Sequence, residues 1–81
     1  MQRENYIITS NRDHNVTKHK WNSAIRETEA LIKEIAIQEN TVYELVESYS
    51  HKEGFGFVKG HRTWKGKNGN VVTFSVVKEI P

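Results

Sequence analysis

The sequence predicts a small α+β domain: a short N-terminal strand, two or three helices and a C-terminal β-hairpin. Three stretches carry this expectation. Residues 28–46, TEALIKEIAIQENTVYELV, form an amphipathic segment broken by a short polar turn and followed by another. Asn68-Gly69 lies between runs of strand-forming residues, which is the strongest short-range hairpin signal. Tyr6-Ile7-Ile8-Thr9 is β-branched and aromatic and runs into the turn-rich SNRDHN.

The chain has 81 residues, enough for one domain. A chain of this size buries only about 60 to 65% of the surface that its unfolded form exposes, and a homodimer would bury more. With 36% hydrophobic and 27% charged residues and a mean hydropathy of -0.71, the composition is that of a polar globular domain. The absence of cysteine excludes a disulfide framework, a thiolate metal site and a thiol nucleophile. The start, MQRENYIITSNRD, lacks the apolar stretch of a signal peptide, and no apolar run approaches the roughly 18 residues of a membrane span. A cytoplasmic protein with no membrane partner is expected. The net charge of +2 is unevenly spread: residues 1–20 carry +2, residues 21–53 carry -4 and residues 54–81 carry +4. An acidic partner should therefore meet the two ends.

The strand over residues 6–9 cannot pair locally, so it must join a sheet made later in the chain or fray. Residues 1–16 are thus read as strand and basic loop, and residues 17–81 as the domain proper. From about Thr17 the pattern turns helical, because Trp21, Ala24, Ile25, Thr28, Leu31, Ile32, Ile35 and Ala36 recur on one face. Lys18, His19 and Lys20 suit a helix start poorly, which makes Asn22 or Ser23 a competing cap. Trp21 is expected in the core. Ile37 leaves the stripe, so its burial requires a turn here, which Gln38, Glu39 and Asn40 supply. Thr41-Val42-Tyr43-Glu44 then has the capping-box pattern, Val42, Leu45, Val46 and Tyr49 keep helical spacing, and Gly54 closes the second helix. A strand over residues 41–49 is the competing reading. Each of its faces would carry a glutamate, which favours the helix.

In the tail, a three-residue loop over residues 68–70 sets Lys59 opposite Glu79, Trp64 opposite Phe74 and Val58 opposite Ile80, whereas a two-residue loop sets Lys59 against Lys78. The first register gives one apolar face, Val58, Trp64, Val72, Phe74, Val76 and Ile80, to cover the helices.

The order helix, turn, helix, Gly-Phe and basic hairpin resembles the winged helix-turn-helix family of DNA-binding domains, and phage or plasmid replication initiators and small repressors in particular. EIAIQENTVYELV, residues 34–46, is similar to that family's E-L-G-V-S-x-x-T-V-Y-x-L-L core, and SHKEGFGFVKGHRTWKGKNGNVVTFSV is similar to its wing. The likeness spans residues 28–77. Ile32 departs from it by filling a position where the family has a small residue. The resemblance implies that Gln38, Asn40 and Tyr43 on a recognition helix probe a groove. Its other outward residues, Glu39, Glu44 and Glu47, would repel phosphate. The string Gly54-Phe55-Gly56-Phe57-Val58 also resembles an RNA-binding octamer, K-G-F-G-F-V-x-F, with Glu53 and Gly60 departing from it.

Four cations within nine residues, Lys59, Arg62, Lys65 and Lys67, exceed what solubility requires and suit a phosphate backbone, with Lys18 and Lys20 as further contacts. Trp64 is expected in the core. The four histidines, His14, His19, His51 and His61, show no metal-ligand spacing, and Asp13-His14 beside His19 lacks any nucleophile or phosphate loop, so no metal, no cofactor and no enzymatic activity are expected. Two functions follow. The first is a nucleic-acid-binding regulator or replication accessory protein, with duplex DNA as the favoured partner. The second is an adaptor or inhibitor whose acidic face, Glu39, Glu44 and Glu47, covers a basic protein surface.

Overall fold

The computed structural model describes residues 4–79. Its elements are β1 (Asn5–Ser10), β2 (Asn15–Lys18), α1 (Trp21–Glu39), β3 (Tyr43–Glu53), β4 (Gly56–Gly66) and β5 (Val71–Glu79). The strands form one antiparallel sheet in the order β2-β1-β5-β4-β3, and α1 lies across one face of it. The N-terminal hairpin β1–β2 is part of this sheet, since β1 pairs with β5 from Asn5↔Glu79 to Ser10↔Phe74.

The core follows from two periodicities. Every third or fourth residue of α1 faces the sheet, which buries Ala24, Thr28, Leu31, Ile32 and Ile35. Every second residue of β1 and β5 faces the helix, which buries Tyr6, Ile8, Val72, Phe74 and Val76. Ala24 and Thr28 are small enough to bring the helix close, and the buried Thr28 hydroxyl donates to the Ile25 carbonyl at 2.7 Å. Trp21 opens the helix, stacks on Phe57 with ring centroids 4.9 Å apart and meets Tyr6 edge-on at 5.9 Å.

The winged helix-turn-helix expectation is overturned, because α1 is the one helix among the described residues. The predicted turn over Gln38, Glu39 and Asn40 is confined to Asn40: Gln38 and Glu39 stay helical, as does Ile37, which is 80% exposed. The chain leaves α1 at Asn40, whose left-handed φ of 50° lets the Asn40 and Thr41 amides close onto the carbonyls of Ile37 and Ala36. The Thr41 amide therefore ends α1, and no capping box opens a second helix. Residues 43–53 are the strand that the helical reading displaced. The glutamate on each face excluded a strand only on the assumption that one face was buried. β3 is an edge strand exposed over nearly its whole length, so both glutamates reach water. A bulge at Val46, between the Leu45↔Trp64 and Glu47↔Thr63 pairs, also breaks its alternation.

Residues 15–18, where the helix was expected to begin, form β2, and α1 starts at Trp21 without a side-chain cap. The hairpin register is corrected by two residues: Trp64 faces Val72 and Lys59 faces Val77, while Glu79 faces Asn5. The predicted Val58↔Ile80 pair lies outside the described residues. The reason for the shift is Gly69. The Gly66 amide donates to the Asn70 carbonyl at 2.8 Å, leaving a loop of residues 67–69 whose last position is left-handed, and Gly69 with φ 88° fills it. The expected loop would have put Asn70 there.

Candidate nucleic-acid interface

The corrected fold disperses the expected recognition residues. Gln38 and Asn40 sit at the C-terminal end of α1, and Tyr43 opens β3 on the helix side of the sheet. Tyr43 belongs to a clasp built on Glu39, whose carboxylate accepts from the Tyr43 hydroxyl, from Arg12 at 2.6 Å and from the amides of Asn68 and Asn70 at 3.2 Å each. The Tyr43 bond first, then Arg12 and the two amides, hold the Glu39 carboxyl down at about 2. The same bond raises the Arg12 pKa, while burial and then Glu39 raise that of Tyr43. This clasp ties the end of α1 to the β1–β2 loop, to β3 and to the β4–β5 turn, so Glu39 and Tyr43 have a structural use.

The expected phosphate contacts divide between the two faces of the sheet. Arg62 lies on the helix side, 3.1 Å from Glu29 and over the Trp64 ring, with its side chain only 18% exposed. Lys18 is paired with Glu27 at 3.1 Å. Lys20 precedes the helix and is exposed. Trp64 packs against the core, as expected, and its indole nitrogen is buried without an acceptor. It lines a groove of 390 Å³ between α1 and β3, with Ile32, Ala36, Val42 and Tyr43.

The remaining cations of the tail share the face that no described element covers. Lys59 and Lys65 project there from β4, with His61 and Thr63 between them, because residues two apart on a strand point the same way. The row advances about 7 Å per step and spans roughly 20 Å. Lys67 extends it in the turn, and none of these three lysines pairs with a carboxylate among the described residues. On β3 the neighbouring residue is Tyr49, directly opposite His61, and the two rings stack with centroids 5.3 Å apart and an angle of 24°. Tyr49, Lys59, Gly60, His61, Ser75 and Val77 line a shallow depression of 240 Å³. Gly60 is required here: a Cβ would stand 2.7 Å from the Tyr49 carbonyl oxygen and 3.0 Å from the Trp21 ring. Four acids share the face, with Glu53 at the end of β3 and Glu79 at the end of β5. Glu47 binds His61, and Glu44 is the cross-strand neighbour of Lys65.

Sequence reasoning placed Tyr49 in a helical stripe and so missed it, and it missed the pairing of Tyr49 with His61. The polar alternation Lys59, His61, Thr63, Lys65 was the available signal. The RNA-binding octamer is not reproduced as a platform, since Phe55 is fully exposed in the β3–β4 turn and Phe57 packs under Trp21 on the helix side. Among the described residues no group of His, Cys, Asp or Glu side chains could hold a metal ion, and no helix is long and apolar enough to cross a membrane.

Comparison with protein families, with curated proteins and with solved structures yields no match to this chain.

Proposed function

We propose that the protein binds single-stranded nucleic acid on the uncovered face of its sheet. The observation that carries this reading is the stacked Tyr49–His61 pair set beside a row of lysines, Lys59, Lys65 and Lys67, on a face that no described element covers. A flat strand surface offers the face of an aromatic ring to a base, and lysines at two-residue multiples along the same strand follow a phosphate backbone. A duplex has no unstacked base to present to such a surface, and groove insertion would need a recognition helix, which this fold does not supply. Gln38, Asn40 and Tyr43 have no part in this mode. Lys59, Lys65 and Lys67 keep the phosphate role first expected of the hairpin, while Arg62 and Lys18 serve ion pairs.

The adaptor reading is weakened by the state of its acids. Glu39 is consumed in the clasp, Glu47 is on His61 and Glu44 faces Lys65.

The test is a fluorescence anisotropy titration of labelled single-stranded RNA, single-stranded DNA and duplex at low and moderate salt. Single strands should bind more tightly than duplex. Replacing Lys59, Lys65 and Lys67 together by Ala should flatten the dependence of log K on log salt by roughly 2, since each phosphate contact with a single strand contributes about 0.7. Tyr49→Ala should weaken binding by about 5- to 150-fold, the equivalent of one lost stacking contact. No association with any single strand at low salt would overturn the proposal.

A further inference from the structure

The two edges of the sheet differ. β2 is a four-residue edge, whereas β3 presents an 11-residue edge without proline and with no described strand beside it. Long bare edges recruit other strands. The exposed apolar side chains gather at the same place. Of the eight large ones, Val42, Leu45, Val46 and Tyr49 lie in β3 or directly before it.

We propose that β3 pairs with β3 of a second copy, antiparallel, about a twofold axis that is normal to the sheet and passes between the two Tyr49 residues. The pattern of side chains selects this partner and this register. The bulge at Val46 leaves residues 47–53 without an extra residue of their own, the second irregularity, between His51↔Lys59 and Lys52↔Phe57, being carried by Val58 of β4. Within this run, residues 47, 49, 51 and 53 project from the uncovered face and residues 48, 50 and 52 from the helix face, as their β4 partners show. A twofold axis normal to the sheet keeps like faces together, so it must pass through a residue position. At Ser50 it would set Glu47 against the second copy's Glu53, twice. At His51 it would bring two imidazoles together and form no acid–base pair. At Ser48 the pairing would run into the bulge after one step. At Tyr49 it sets Glu47 opposite the second copy's His51 in both symmetry-related places, Ser48 opposite Ser50, and the two tyrosines face each other at the centre.

The residues are ready for these contacts. Glu47 binds His61 through one carboxylate oxygen, leaving the other for an imidazole that can donate a hydrogen bond in either charge state. His51 lies 3.7 Å from Glu53, beyond hydrogen-bond distance, which leaves its ring free to meet a carboxylate across the axis. Self-complementarity of one short segment is what an isologous interface requires, and an unrelated strand has no reason to supply it. The pairing also brings the end of the second copy's β3, Lys52 and Glu53, beside Val46 and Leu45. It makes a continuous ten-stranded sheet with both uncovered faces on one side. The inference does not rest on the nucleic-acid reading: the strands pair through the backbone edge of β3, the register is set by Glu47, Tyr49 and His51, and the test uses no nucleic acid.

The test exploits the absence of cysteine from the chain. Sedimentation of the full chain from micromolar to millimolar concentration, without nucleic acid, should show a monomer–dimer equilibrium. Directly opposed antiparallel residues have Cα atoms about 4.5 to 5.5 Å apart, within disulfide range. Tyr49→Cys should therefore form an intermolecular disulfide under mild oxidation, while Ser50→Cys, displaced by two residues from its own symmetry mate, should not. Glu47→Lys should weaken the dimer by at least about tenfold, and Glu47→Lys combined with His51→Glu should restore it, which separates loss of the pair from loss of the fold. A monomer at all concentrations overturns the proposal. So does cross-linking through position 50 in preference to 49, or a dimer indifferent to the charge reversal.

Discussion

At the scale of single residues, the positions that matter most are those where the chain has no alternative. Gly60 is one, because the approach of β3 and of Trp21 leaves no room for a side chain. Gly60→Ala should lower stability by about 1 to 3 kcal/mol in a denaturant titration, the usual cost of forcing one extra carbon into a packed site. The N-terminus of α1 is the opposite case, a position the sequence leaves unimproved. Lys20 stands at the cap with an extended backbone, no side-chain hydrogen bond and no acid in the first turn. Lys20→Asp should therefore stabilise the protein by about 0.5 to 2 kcal/mol, measured as a rise in Tm, by capping free amides and reversing an unfavourable charge at the helix dipole. Asn22 and Ser23, the competing caps, lie inside the helix instead, and Lys20 holds the boundary despite its unfavourable charge. The helix is expected to begin at about Thr17, whereas residue 18 ends a strand and residue 20 is an uncapped boundary.

Elements were legible in the sequence to the extent that one face of each is buried. The stripe from Trp21 to Ala36 gave α1 because burial on one side imposes the period of 3.6, and Tyr6 to Thr9 gave β1 in the same way. β3 was illegible because an edge strand exposed on both faces has no burial to write a period of two, and its bulge disrupts what remains. The β4–β5 hairpin was legible in kind and wrong in register, since charge pairing was weighed and the left-handed position at Gly69 was not. The open-face site inherited these limits: its lysines were visible as a basic run, but Tyr49 could be found only by placing β3 beside β4. The elements are tied at one end by the Glu39 clasp, and this has a pH signature. The Glu39 carboxyl lies at about 2 in the folded chain against 4.5 for an unperturbed group, so its contribution to stability is complete above pH 4.5 and is lost as pH falls toward 2. Thermal unfolding of Glu39→Gln should show a lower Tm than the parent chain at pH 7 and a smaller difference near pH 2, where the parent's carboxyl is itself protonated.

For the whole molecule, the division of labour between the two faces of the sheet is the central feature. The helix side carries the core, the clasp and the ion pairs of Arg62 and Lys18, and so it fixes the fold. The other side carries lysines that pair with no carboxylate among the described residues, and a stacked aromatic pair. An edge strand joins them and gives the molecule a place to meet its own copy. The measurement that tests this division most directly is an amide chemical-shift titration of the labelled protein with a single-stranded oligonucleotide. Shifts should concentrate at Tyr49, Lys59, His61, Thr63 and Lys65, with the amides of α1 and the side-chain indole of Trp64 unmoved. Shifts centred on α1 or on the Gln38–Asn40 end of the helix, or no shifts at saturating oligonucleotide, would contradict this division.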